Sequence, residues 1–564
     1  MSGRGTAQGH ESLRQAMSWL HTWAGLLLGW VLYAVLWTGT LAYYRAEITA
    51  WMQPELPVVA ALPEAGQAAV LAQAYMTRHH ADSPRWTLVL PTPREPRITL
   101  AYEEAAPVAG QPGFGTALLH PVTGAPLTPR STRGGDFFYR FHYELQLAYP
   151  WGRWIAGVAA MFMLVAVVSG VIVHRKLFQD FFVFRPGRDR PGRVRPGRGG
   201  SDGSRQLVAS LRGATSSGSG TKVGDAGRRQ ATRRGGGARA WMDGHNVLAV
   251  LGLPFHLMIS FTGLILLMSM LMPAGILAAY DDTRHFTAQL VPGHRAPPAS
   301  GVASPLMPLQ SMVERAEAQW DGRAGRVTVL HGGDAAATVV VQRLAAERVS
   351  HSLVPPALAY EGATGRPIGD PKDRSPALVA VGGLIGLHLG WFAEPMLRAL
   401  YFLIGMASTA MVATGLILWL AKRRQKGARA SPTSLPDASP SLRLVNALNI
   451  ATIAGLPLAT AAYFWANRLL PADLPTRASW EVRAFFIAWL AACAWTLIAR
   501  RNRWRDLLGA SALLLMGLPL LNAFTASHLI ATMAQGDGVR AGFEMVCIGG
   551  GAVLGWIGYR SGQP

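Results

Sequence analysis

The chain has 564 residues, of which 50% are hydrophobic, with a mean hydropathy of +0.21 and a formal net charge of +21. That is too apolar for an ordinary soluble multidomain protein, and the positive charge is concentrated in one linker, which argues against nucleic acid as the partner. Only Cys493 and Cys547 occur, both inside apolar stretches, so disulfide staples and cysteine-ligated clusters are excluded.

A helix crosses a bilayer with about 20 apolar residues at ~1.5 Å rise each. Eight stretches qualify, near 17–44, 152–174, 246–272, 396–421, 444–466, 483–499, 507–529 and 541–559. The expected fold class is a polytopic α-helical membrane protein of about eight spans carrying two small α+β domains outside the membrane. No small-residue cleavage site follows the start MSGRGTAQGHESLRQAMSWLHTW, so the first stretch reads as an uncleaved span.

After span 1, residues of about 45–140 carry soluble patterning. A helix is expected in PEAGQAAVLAQAYMTRHH, then alternating strands RWTLVLP and RITLAYE, then ALLHPVTGAPL turning at Gly124. Span 2 leads into residues 175–240, where 16 Lys/Arg meet 4 Asp/Glu in a Gly/Pro/Ser/Arg-rich run with few apolar residues. Such a run is expected to be disordered. Basic loops stay in the cytoplasm, so this one sets the topology and can touch anionic lipid. AKRRQKGAR at 421–429 and RRNRWR at 500–505 fall on the same side, and both termini are then cytoplasmic. After span 3, residues of about 275–380 repeat the earlier unit: helix LQSMVERAEAQW, strands GRVTVLH and ATVVVQR, and ALAYEGATGRPI turning at Gly365.

The spans repeat as well. HTWAGLLLGWVLYAVLWTG, His21 to Gly39, aligns without gaps on HNVLAVLGLPFHLMISFTG, His245 to Gly263. HYELQLAYPWGRW at 142–154 aligns with one gap on HLGWFAEPMLRA at 388–399, pairing Pro150 with Pro395, and Gly170 with Gly415. The organisation read from this is a first repeat at 13–175, the basic loop at 176–240, a second repeat at 241–425 and a four-span bundle at 440–564, the repeats related by a pseudo-twofold axis along the membrane normal.

Six histidines sit in or beside the repeated spans: His21, His142, His174, His245, His256 and His388. Ionisable groups in spans are costly and mark function. His21, His245 and His174 lie at cytoplasmic ends, and His142 and His388 at outer ends. His256 follows His245 by eleven residues. On a straight helix that is about three turns and roughly 16 Å, which puts it on the same face in the outer layer. Two imidazole layers in an apolar bundle suit two stacked b-type haems. No C-x-x-C-H motif is present for covalent attachment. Zinc fits less well without nearby carboxylates or thiols, and a proton relay would want intramembrane Asp or Glu. Symmetry pairs His21 with His245 and His142 with His388. The alternative pairs His174 with His245 or His21, and His256 with His142 or His388. Arg153 and Arg398 occupy equivalent positions and are candidates to pair with haem propionates.

HTWAGLLLGWVLYAVLWTGTLAYYRAEITAWMQPEL, SGVIVHRKLFQDFFVFRP, WMDGHNVLAVLGLPFHLMISFTGL and LRALYFLIGMASTAMVATGLILWLAKRR closely resemble the PepSY-associated transmembrane-helix family over about residues 13–425. Its members include iron-regulated inner-membrane proteins and ferric-siderophore reductases of Gram-negative bacteria. The resemblance implies a bacterial inner-membrane location, haem b, PepSY-type periplasmic domains and one-electron reduction of siderophore-bound iron. The substrate is then a ferric siderophore, which holds Fe(III) far more tightly than Fe(II). The last four spans look like the extension of longer members, and the Gly/Arg-rich loop at about 186–240 departs from the pattern. PepSY domains are also linked to peptidase inhibition, so a periplasmic binding or peptidase-regulating protein without redox activity is the alternative. A transporter would need polar, broken helices at the midplane, and only Pro254 suggests one. No G-x-G-x-x-G follows a strand on the cytoplasmic side, so quinol or a separate reductase has to supply the electrons.

Overall fold

A computed structural model describes residues 4–105, 113–173, 239–279, 297–352, 354–369, 374–430, 439–499, 502–527 and 529–561. The basic linker and His174 lie outside the described residues.

Among the described residues six helices are each long and apolar enough to cross a membrane: Trp151–Val173, Pro395–Gly427, Pro440–Leu469, Arg477–Ile498, Arg503–Thr525 and Gly538–Ser561. Two further spans are broken. Leu13–Leu27 meets Gly29–Ala42 at 64°, and Arg239–Leu251 meets Leu253–Leu266 at 68°. Taking each bent pair as one span gives eight, at the positions that hydropathy marks. The breaks fall at Leu28 and Gly252, each seven residues beyond the aligned histidine. Pro254, in the first turn after the second break, has no N–H to donate and crowds the preceding turn. At the first break Gly29 lets Leu416 pack closely, since a Cβ there would lie 2.7 Å from that side chain.

Outside these spans the described residues form one antiparallel sheet of seven strands: β1 Arg85–Val89, β2 Ile98–Glu103, β3 Phe114–Leu119, β4 Pro126–Leu127, β5 Ala324–Leu330, β6 Thr338–Arg343 and β7 Ala357–Glu361. The order is β4-β3-β2-β1-β5-β6-β7. The two soluble segments are therefore not separate sheets. They join through β1 and β5, with Thr87 opposite Thr328 at the centre and their hydroxyls 3.3 Å apart. Pairing these two strands removes the exposed edge that each segment would otherwise present. Helices Ala65–His79 and Leu309–Trp320 pack on the sheet, burying Ala68, Ala72, Met312 and Val313 against Leu88, Leu100, Val327 and Val329. Gly124 and Gly365 both take positive φ at the turns after β3 and β7, as those turns require.

An ion triad ties the sheet to the helices. Glu47, just past the first span, takes a bidentate contact from Arg94 of the β1–β2 loop at 2.7 and 2.9 Å, and a third from Arg398 at 2.9 Å. The last four spans dock along the second limb of the first span. Trp30 donates to Asn449 at 2.8 Å, Tyr33 to the Ile453 carbonyl at 3.1 Å and Trp37 to Thr460 at 3.0 Å. At the sheet end Arg468 stacks 3.9 Å above Trp51 and hydrogen-bonds to Asn467 and Asn522.

Candidate functional site

Helix Asp136–Glu144 reads DFFYRFHYE and is amphipathic. Phe137 packs on Tyr463 at 4.8 Å and on Phe485 at 4.9 Å, so one face is clamped by the last four spans. The opposite side presents His142 to the first span, where its Nδ1 lies 2.8 Å from the Val35 carbonyl. His388 ends helix Pro376–Leu389 just before Gly390, whose φ of +62° closes the helix. Its Nδ1 lies 3.1 Å from the Ile259 carbonyl and 3.1 Å from the Thr262 hydroxyl. The two rings face one another with centroids 5.9 Å apart.

The layer farther from the sheet is built the same way. His21 Nδ1 lies 2.8 Å from the Ala166 carbonyl and His245 Nδ1 lies 2.9 Å from the Met411 carbonyl, with ring centroids 6.3 Å apart. All four imidazoles share one device. Four residues beyond each accepting carbonyl stands a glycine, Gly39, Gly263, Gly170 or Gly415, and each glycine is in contact with the same ring. A Cβ at Gly39 would sit 2.4 Å from His142 Nδ1. The missing side chain lets the ring lie flat on the helix and reach the carbonyl.

A carbonyl only accepts, so each Nδ1 carries the proton and each lone pair is left on Nε2, the nitrogen able to bind a metal. Two imidazoles on one metal at ~2.0 Å bring their centroids to about 6 Å. The observed 5.9 and 6.3 Å fit that spacing. A cavity of about 280 Å³ surrounds the far pair, lined by Leu32, Met163, Val412 and Leu416. A tighter one of about 60 Å³ holds the sheet-side pair, with Leu36, Phe255 and Ile259. The paired imidazoles thus fit bis-histidine ligation of a haem iron in each layer, and the sheet-side cavity is the tighter of the two.

The structure brings together the symmetric pairs. It corrects the level of His256. The bend at Gly252 invalidates the straight-helix projection, and His256 lines the far cavity beside His21 and His245. It is 1% exposed and its Nε2 has no hydrogen-bond partner. Leu32 and Trp419, which the repeat aligns with His256 and His174, line that cavity too. Arg153 and Arg398 are held by carboxylates rather than facing either cavity: Arg153 by Glu144 at 2.7 Å and Arg398 by Glu47 at 2.9 Å. Sequence reasoning missed Arg45, Tyr139 and Trp391 at the mouth of the sheet-side cavity. It aligned the four glycines without giving them a role.

The profile of the PepSY-associated TM region matches residues 18–195 and 216–422, two segments that each contain one half of both histidine pairs. An uncharacterized protein of Pseudomonas aeruginosa is 27% identical over 354 residues, covering 59% of this chain and 84% of the relative.

Proposed function

Because the chain belongs to the family of the PepSY-associated TM region, we propose that it is an inner-membrane haem b protein that passes electrons across the bilayer to reduce Fe(III)-siderophore in the periplasm, releasing Fe(II). The observation that carries this reading is the fourfold cradle: glycine, carbonyl and imidazole, arranged alike at both levels. His21 with His245, and His142 with His388, would hold the iron of one haem each through Nε2. A bound haem b supplies reversible one-electron storage at each level.

The protein's own groups do the rest. Each Nδ1–H donated to a carbonyl fixes the ring's tautomer and orientation and raises the basicity of the ligating nitrogen. Leu32, Leu36, Met163 and Ile259 line the two cavities with apolar surface and would keep water from the Nε2 sides of the paired rings. Two imidazoles per layer would leave a bound haem no open coordination position, which favours electron transfer over oxygen chemistry. Helix Asp136–Glu144 is pinned by Phe137 and Phe138 against Tyr463 of the last four spans, which fixes the position of His142. The electron donor on this reading is quinol or a separate reductase on the cytoplasmic side.

The test is reconstitution into liposomes with a reductant sealed inside and a ferric siderophore outside, read with a ferrous-specific chromogen. Protein-dependent appearance of external Fe(II), lost in His388→Ala, is the expected result. Haem-loaded protein that yields no external Fe(II) defeats the proposal.

A further inference from the structure

We propose that the mouth of the sheet-side cavity docks an anionic metal chelate with aromatic donors, of the tris-catecholate class, on a row of alternating rings and guanidinium groups. This rests on the ferric-chelate reading above. The cavity that holds His142 and His388 is also lined by Arg45, Tyr139 and Trp391, and the Arg45 side chain is a third exposed. Arg45 lies 5.8 Å from the Trp391 ring and 5.1 Å from the Tyr139 ring. Tyr139 meets Tyr143 at 5.2 Å, and Arg153 then lies 5.2 Å from both Tyr143 and Tyr149. The row runs from the histidine pair to Tyr149, which is 74% exposed.

Charge favours an anion. Arg45, Arg140 and Arg153 face two carboxylates, Asp136 at 3.7 Å from Arg45 and Glu144 at 2.7 Å from Arg153 and 3.8 Å from Arg140. Arg153 Nε is buried without a hydrogen-bond partner. Arg45 approaches Asp136 only to 3.7 Å and so keeps its N–H edge for oxygen acceptors. Arg153 donates to Glu144 and serves the row through its stacked face, and the neighbouring rings can stack on aromatic donors. The row also breaks the twofold. Counting from the aligned histidines, Arg45 corresponds to Ser269, Tyr139 to Ile385 and Trp391 to Leu145. The histidine cradles occur in both halves and the row occurs once, as a single substrate position demands.

The experiment is calorimetric titration of the full-length, detergent-solubilised protein with redox-inert gallium(III) complexes, one an anionic tris-catecholate and one a neutral trihydroxamate. The tris-catecholate should bind at least tenfold more tightly. Arg45→Gln and Tyr139→Leu should each weaken it about tenfold, leave the trihydroxamate unchanged, and keep haem content, Soret position and thermal midpoint at wild type. Equal affinity for the two complexes, or unchanged affinity in both variants, overturns the proposal. So does loss of haem or a spectral shift in Arg45→Gln, which assigns the guanidinium to the macrocycle's carboxylates. Gallium binding needs no electron, so this arm stands or falls apart from whether the protein reduces iron.

Discussion

Alanine at Gly39 should empty the sheet-side layer while alanine at Gly170 leaves the far layer loaded. At Gly39 the new Cβ lies 2.4 Å from His142 Nδ1 and 2.7 Å from Cε1, whereas ordinary contact starts near 3.4 Å. The ring must withdraw by about 1 Å, which takes its Nδ1 beyond the ~3.2 Å reach of a hydrogen bond to the Val35 carbonyl. Metal-ligand distances tolerate about 0.2 Å, and loss of an outer-shell hydrogen bond alone costs roughly 10–100-fold in affinity. At Gly170 the nearest His21 atom is 3.2 Å from the added Cβ, at Gly415 the nearest His245 atom is 3.1 Å, and at Gly263 the nearest His388 atom is 3.0 Å. These demand shifts of only a few tenths of an ångström. Alanine is also the better helix former, by about 1 kcal/mol, so lost haem in Gly39→Ala cannot be put down to a weakened helix. The assay is pyridine haemochrome content with low-spin absorption spectra on the purified variants. Gly39→Ala is expected to retain about half the wild-type haem, and Gly170→Ala nearly all of it. Full low-spin haem in Gly39→Ala, or equal loss in both, refutes the cradle.

Single alanine replacements of the histidines should sort by layer in the same spectra: His142 and His388 remove one haem, His21 and His245 the other, and His256→Ala keeps both. A His256 variant lacking a haem would instead make it a ligand of the far layer. Glu47→Gln leaves Arg94 and Arg398 without their shared carboxylate and should cost roughly 2–3 kcal/mol in thermal or denaturant unfolding. Adding Arg398→Met should recover part of that loss, and a cost within 0.5 kcal/mol of wild type, on the order of a surface substitution, removes the triad's structural role. Reporter fusions at Gly200 and Gly332 should report cytoplasm and periplasm respectively; a shared compartment would mean that the span count is wrong.

Hydropathy and period-2 or period-3.6 patterning were enough to place the spans, both sheet-packing helices and the turns at Gly124 and Gly365, because each depends on neighbours close in sequence. The histidine pairs were legible because the halves align, so His21 and His245 share a level whatever the helix does between. His256 was not, since its level depends on a bend at Gly252 that a straight projection ignores. Pairing of β1 with β5 joins residues some 240 positions apart and leaves no local mark beyond two strands that would otherwise be edges. The partners of Arg153 and Arg398 were hidden for a similar reason. Glu144 and Glu47 lie outside the apolar spans, where a carboxylate attracts no attention, and only the fold brings them to the arginines. Docking of the last four spans through Trp30, Tyr33 and Trp37 follows from side-chain geometry that composition cannot express.

The central claim is that each imidazole pair holds one haem b. Its most direct test is the haem-to-protein ratio of the purified full-length chain by pyridine haemochrome, with spectra taken before and after dithionite. The account predicts a ratio near two, with both haems low-spin and reducible. A ratio of zero contradicts it outright, and a ratio of one shows that one of the two cradled pairs binds something else.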